Sequence, residues 1–272
     1  MIEEKVRKPT YAGSFYPEDS GTLRFAIGQY LDDAEVDCGK CNLRALIAPH
    51  AGYIYSGYTA GNAYKVLAHC SEKTKELMRI FILGPCHKTP VKGMGVSTVD
   101  VWNSPLGRVK VSEVARQMVK NEDLCNEANS AHEMEHSIEV QLPFIQSVLS
   151  GKQFEIVPVL FSEGDCVEYA DIFEKYIGDN DLLIVSTDLS HYHPYDEAKD
   201  IDQKTIDSIL SLSYEYVQSS EDSCGNLPLS VLVEIAKRHK WQPKLADYRT
   251  SGDTAGDKDS VVGYASIYFC GM

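Results

Sequence analysis

The stretch LIAPHAGYIYSG, Leu46 to Gly57, opens on an apolar run, breaks at Pro49 and presents His50 ahead of Tyr53 and Tyr55. A short apolar run stopped by proline reads as a buried strand reaching its end. The imidazole therefore sits where a strand opens into a loop. The same ending recurs. RIFILGPCH, Arg79 to His87, closes on Gly84-Pro85-Cys86-His87, and LLIVSTDLSHYH, Leu182 to His193, closes on Asp188, His191 and His193.

Outward from these endings, runs of strand length recur at Arg44–Ala48, Arg79–Leu83, Gly95–Val101, Phe154–Phe161, Leu182–Ser186, Leu245–Arg249 and Val261–Phe269. Helical patterns lie between many of them: Leu23 to Leu31, Thr59–Cys70, Ile138 to Leu149 with Pro143 near its start, Val167–Ile177, Asp196–Leu212 and Pro228–His239. Strands alternating with helices predict an α/β class, a three-layered α/β/α arrangement with a mostly parallel central sheet. Met94–Val111, with Asn103-Ser104-Pro105-Leu106-Gly107 at its middle, predicts an added hairpin. No low-complexity tract, long linker or internal repeat interrupts the chain, so residues 1–272 read as a single domain.

The 40 acidic against 26 basic residues leave a net charge of -14, which repels a phosphate backbone and excludes general nucleic-acid binding. No apolar run approaches the roughly 18 residues of a membrane span, and the N-terminus lacks an apolar signal core. These features predict a cytoplasmic protein with no membrane partner. Its eight cysteines are expected mostly as free thiols, with Cys38-x-x-Cys41 in a surface loop, because no second pair stands at zinc-ribbon spacing.

In open parallel sheets ligands sit beyond the carboxyl ends of the strands, so three such ends bearing His50, His87 and the Asp188/His191 pair point to one pocket. Neutral imidazoles suit a metal. Asp188 could complete a two-histidine, one-carboxylate site for ferrous iron or orient a histidine. Tyr53, Tyr55 and Tyr192 are candidate donors to a bound oxygen anion. HEMEH, His132 to His136, satisfies H-E-x-x-H, but the flanking NEDLCNEANSA lacks the apolar residues of a catalytic helix, which leaves a metalloprotease as a remote alternative. Glu135-His136-Ser137 reads better as the opening of the next helix, with His136 facing the same pocket.

These motifs together resemble the Memo family, also called AmmeMemoRadiSam system protein B. The resemblance is carried by AGSFYP (Ala12–Pro17), APHAGYIYSG (Ala48–Gly57), ILGPCH (Ile82–His87), EHSIEVQLPF (Glu135–Phe144), STDLSHY (Ser186–Tyr192), CGNLP (Cys224–Pro228) and VVGYAS (Val261–Ser266). It implies a fold similar to class III extradiol ring-cleavage dioxygenases and a mononuclear non-haem-type metal site of His50, His87 and Cys224. Iron is the expected metal, with zinc and copper as alternatives suited to a thiolate. The helix following Cys224 is expected to lower its thiol pKa. His191 and His136 are the expected acid–base groups, with Asp188 orienting them and Tyr55 beside them. Cys86, Lys88 and Asn226 depart from what many relatives carry. The resemblance implies a redox or oxygenase-related metalloenzyme with AMMECR-type and radical SAM partner proteins. Its alternative is a catalytically silent scaffold whose vestigial pocket binds phosphotyrosine-type peptides.

Overall fold

In the computed structural model, residues 4–71, 78–213, 215, 217 and 223–272 are described. Among them the sheet has strands β1 (Val6–Arg7), β2 (Asn42–Ala48), β3 (Met78–Pro85), β4 (Met94–Val96), β5 (Val101–Ser104), β6 (Gly107–Val111), β7 (Cys125–Glu127), β8 (Phe154–Phe161), β9 (Leu182–Ser186), β10 (His191–His193), β11 (Gln242–Thr250) and β12 (Val261–Gly271). Its main order is β1-β5-β6-β8-β3-β9-β2-β12-β10, with β11 also on β12 and β4 on β8. The centre, β8-β3-β9-β2, is parallel throughout. Ile80–Leu83 and Leu182–Val185 are buried without alternation, as strands covered on both faces must be.

Helices form the outer layers. Helix α2 (Tyr53–Ser71) packs on β2, β11 and β12, and α1 (Ser20–Asp32) packs on α2. On the other side Asn226–His239 packs on β3 and β9, and Cys166–Phe173 packs against Asn226–His239. The α1–α2 contact depends on glycine: a Cβ at Gly61 would stand 2.4 Å from the Tyr30 carbonyl oxygen. No described helix is long and apolar enough to cross a membrane.

Three local expectations need correction, and one helix is added. The hairpin is narrower than Met94–Val111: β5 and β6 form it, while β4 runs antiparallel to β8 and parallel to β7. The Asn129 side chain accepts from Thr98 N–H at 2.8 Å and so occupies a backbone donor of the linker between β4 and β5. The helix expected across Ile138–Leu149 is a 3-10 turn, Glu139–Gln141, leading into Leu142–Val148, with Pro143 in the first turn where its missing N–H costs nothing. Glu113–Asn121 is a helix that the reading above did not include. Cys41 is bonded to Cys270, a partner 229 residues away that antiparallel pairing of β2 and β12 brings alongside.

The N-terminal segment is held by a buried ion pair. Arg7 donates to Glu139 at 2.5 Å, to the His132 carbonyl at 2.9 Å and to the Glu135 carbonyl at 2.8 Å. Its guanidinium also lies over the Trp102 ring. Glu139 in turn accepts from Thr10 N–H, Tyr11 N–H and the Tyr16 hydroxyl. Removing one partner leaves a buried charge unpaired. Arg7→Ala is therefore expected to lose roughly 3–5 kcal/mol in urea unfolding; a loss below about 1 kcal/mol would show the clamp to be dispensable.

Candidate metal centre

The strands that end in candidate residues are neighbours. β9 lies between β3 and β2, with Leu83 paired to Val185 and Ala48 to Ser186. His87, Asp188 and His50 each follow two residues beyond those strands and so emerge side by side. His136 joins them from the loop before Glu139–Gln141. The ring centroids stand 5.1 Å apart for His50 and His87, 5.2 Å for His50 and His136, and 4.6 Å for His87 and His136. One ligand-capable atom from each of the three lies within 4.8 Å of the other two.

Hydrogen bonds fix the direction of His50. Its backbone N–H donates to Asp188 Oδ1 at 2.7 Å, and Ala51 N–H reaches the same oxygen at 3.3 Å. Its Nδ1 lies 3.0 Å from Ser186 Oγ. The single Ser186 proton goes to the Ser137 carbonyl at 2.5 Å, and Gln141 Nε2 donates to the same hydroxyl at 2.8 Å. With that proton committed, Ser186 accepts from His50 Nδ1–H, leaving the Nε2 lone pair facing the pocket. Burial drives the His50 pKa down to about 4 against the pull of Asp188, so the ring is neutral at pH 7.

Glu135 does the corresponding work for His87 and His136. It accepts from His87 N–H at 2.6 Å, His87 Nδ1 at 2.9 Å, His136 N–H at 2.8 Å and Ser137 N–H at 2.9 Å. Burial alone would raise its pKa, but the donors of His136, His87 and Ser137 hold it well below the carboxylate range. His87 Nδ1 being engaged, its Nε2 is the free nitrogen. His136 Nδ1 stands 3.1 Å from Glu135 Oε1, a charge contact to the same carboxylate with poorer hydrogen-bond alignment than that of His87. The approach of this loop to β3 requires Gly84, whose Cβ would lie 2.7 Å from Ser137 Oγ.

Cys224 Sγ lies 3.3 Å from His50 Nε2 and 3.7 Å from both Thr187 Oγ1 and the Asp188 carbonyl. Its thiol is not lowered by the following helix. Burial, with the Asp188 charge adding to it, pushes the pKa up to about 12 in the metal-free protein. Desolvation outweighs the helix terminus because the thiol is enclosed, and the helix itself begins only at Asn226. The Nε2 atoms of His50 and His87, the His136 ring and the Cys224 thiol that lies against His50 Nε2 make a donor set that fits a mononuclear metal.

Above these donors opens a cavity of about 860 Å³ whose walls include Phe15, Tyr55, His191, Tyr192, Ser251 and Tyr264. His191 and Tyr55 thus face the pocket without joining the histidine trio. Tyr192 is on the rim with a φ of 64°. Tyr53 is not a wall residue: it is buried and donates to the Val140 carbonyl at 2.6 Å. Asp188 engages the backbone of His50 and Ala51 and acts by placing that loop. Glu135, Ser186, Gln141 and Tyr264 were not singled out from sequence; all but Gln141 and Glu135 lie in stretches read as strand, where burial hides polar chemistry.

The H-E-x-x-H match does not form a metal site. Its helix, Asn129–Glu133, stops before His136, so the two histidines do not share a helical face. His132 is fully buried, its Nε2 2.9 Å from the Gly95 carbonyl and its ring against Trp102. Burial lowers its pKa to about 3. The folded value lies below the unfolded one, so the stability this neutral ring confers is full above pH 6.5 and is lost as pH falls from there toward about 3. Between pH 7 and pH 5 the wild type is expected to lose about 2 kcal/mol more than His132→Gln, by parallel urea titrations. Equal losses would place the titration elsewhere.

A family model described as Memo-like protein matches residues 7–268. A MEMO1 family protein of Methanopyrus kandleri is 37% identical, covering 97% of this chain and 98% of its own length. One from Aquifex aeolicus is 34% identical, covering 97% and 99%. Among solved structures, an uncharacterized Escherichia coli K12 protein, JW3007, superposes with a TM-score of 0.54 at 12% identity, over 83% of this chain and 99% of that one. At that identity the likeness concerns the fold alone.

Proposed function

Since the chain belongs to the Memo-like family, we propose that its pocket is a mononuclear metal centre serving a redox or oxygenase-related enzyme that acts on a small ligand. The observation that carries this reading is the convergence of His50, His87 and His136 to within 4.8 Å, with the outer nitrogens of His50 and His87 already committed to Ser186 and Glu135. Outer hydrogen bonds of this kind orient ligating imidazoles and raise their basicity. His50 and His87 are ligands in either arrangement, and the third donor is Cys224 or His136. Iron is the metal we propose, and the same donors suit zinc or copper. When bound, such a metal polarises an oxygen ligand or exchanges electrons with it.

The chain's own contribution is enclosure and proton handling. Phe15, Tyr55 and Tyr264 wall the cavity with aromatic surface, and His191 stands where it can take or return a proton from a ligand held there. A phosphotyrosine ligand is poorly matched: the cavity lining, among the described residues, contains no Lys or Arg, whereas Asp188 and Asp257 face it.

Protein purified without oxygen is expected to carry about one transition metal per chain, measured by mass spectrometry of the elements. His50→Ala and His87→Ala should each abolish it, and Ser186→Ala should weaken affinity roughly 10–100-fold. Cobalt loading separates the third donors: loss of a thiolate charge-transfer band in Cys224→Ser assigns the thiol, and its absence from wild type assigns His136. Wild type that neither retains nor takes up metal would overturn the reading.

A further inference from the structure

Among the described residues, Tyr192, Leu212 and Lys240 have a positive φ without being glycine. Lys240 caps the helix Asn226–His239, and Leu212 stands just past the helix Tyr195–Leu210, where a left-handed residue commonly ends a helix. Tyr192 has no such role, because it lies inside β10. There β10 pairs antiparallel with β12 through His191 on Val262 and His193 on Val261, so three residues face two and Tyr192 is the extra one. This is a β-bulge. A bulge residue in the left-handed region is ordinarily glycine, because a Cβ crowds the following carbonyl there. Turning the chain does not by itself call for tyrosine. What the bulge achieves is aim: the Tyr192 ring lines the cavity at its mouth and is 77% exposed.

Buried contacts hold the ribbon in this conformation. Leu189 N–H donates to the Gly263 carbonyl at 2.8 Å, and Gly263 N–H donates to the Ser190 carbonyl at 2.9 Å. Ser190 N–H donates to Asp202 Oδ1 at 2.8 Å, and Asp202 Oδ2 accepts from the Tyr248 hydroxyl at 2.7 Å. Asp202 belongs to the helix Tyr195–Leu210 and is fully buried. It fits beside β12 because residue 263 is glycine, where a Cβ would overlap its carboxylate. Beyond the bulge, Tyr195 N–H donates to the Lys258 carbonyl at 3.0 Å. A carboxylate on a helix, a glycine on β12 and a tyrosine on β11 thus fix the segment that presents His191 and Tyr192.

We infer that Tyr192 is a specificity-determining residue, whose ring lies over the outer part of a bound ligand and selects one with a planar, unsaturated body. An aromatic face left open to water gains burial when a flat surface covers it, and at the mouth of the cavity that surface belongs to the ligand. Phe15, whose ring centroid is 4.6 Å from that of His136, supplies aromatic surface in the same cavity, as do Tyr55 and Tyr264. The inference rests on the pocket being a ligand-binding metal centre, as proposed above.

The test compares two hydroxamates on the metal-loaded protein by calorimetry. Acetohydroxamate offers the chelating group alone, and 2-naphthohydroxamate adds a planar body. Wild type should bind the naphthyl probe more tightly. Tyr192→Gly is expected to weaken the naphthyl probe about 3–10-fold and to leave acetohydroxamate unchanged. Its urea midpoint should be no lower than that of wild type, because glycine adopts the left-handed φ without strain. Tyr192→Phe should keep the naphthyl affinity, since the ring face and not the hydroxyl makes the contact. Undiminished naphthyl binding in Tyr192→Gly, or equal weakening of both probes, would overturn the inference and leave the metal centre in place. Wild type that binds neither probe would overturn the metal reading and this inference with it.

Discussion

One buried carboxylate, Glu135, organises the site. It joins the end of β3 to the loop before Glu139–Gln141 by accepting from His87 twice, from His136 and from Ser137. An ionised carboxylate at 1% exposure is tolerable only when its oxygens are fully used, and here they are used by the backbone and the ring that the site needs in place. The same interaction selects the free nitrogen of His87 and sets where His136 stands. Arg7 secures the loop from behind through the Glu135 carbonyl and Glu139, which is why the N-terminal segment, with Phe15, reaches the cavity at all.

The sheet explains why the pieces meet. β3, β9 and β2 run parallel in adjacent positions, so their carboxyl ends form a single ledge, and β12 beside β2 runs the other way. Ligand sites in open α/β sheets occur at such strand ends. The ledge combines two kinds of support. Neutral groups, Ser186 and Gln141, hold the His50 ring while Asp188 holds its backbone, whereas the one carboxylate of Glu135 holds both the ring and the backbone of His87. His50 consequently stays unprotonated deep in the pocket, beside a thiol that burial keeps protonated.

The core strands were legible because burial on both faces leaves unbroken apolar runs: Phe154–Phe161 and Leu182–Ser186 match to the residue. Short edge elements were less so. Gly95–Val101 reads as one strand but is split between Met94–Val96 and Val101–Ser104, because nothing in Ser97-Thr98-Val99-Asp100 announces that Asn129 binds the backbone there. At the site, His50, His87 and Asp188 were visible from repeated strand endings, and Cys224 only through family resemblance. Ser186 was hidden in LLIVS, where it looks like one more buried strand residue. The Cys41 partner, Cys270, was out of reach because only the antiparallel return of β12 brings it near.

The central claim is that the His50 and His87 nitrogens converge in order to hold a metal. Its most direct test is an element-resolved anomalous difference map from crystals of the protein grown without oxygen. The account predicts a single strong peak at bonding distance from His50 Nε2 and His87 Nε2, completed by Cys224 or His136. No peak there after metal supplementation, in crystals where these side chains are well ordered, would contradict it.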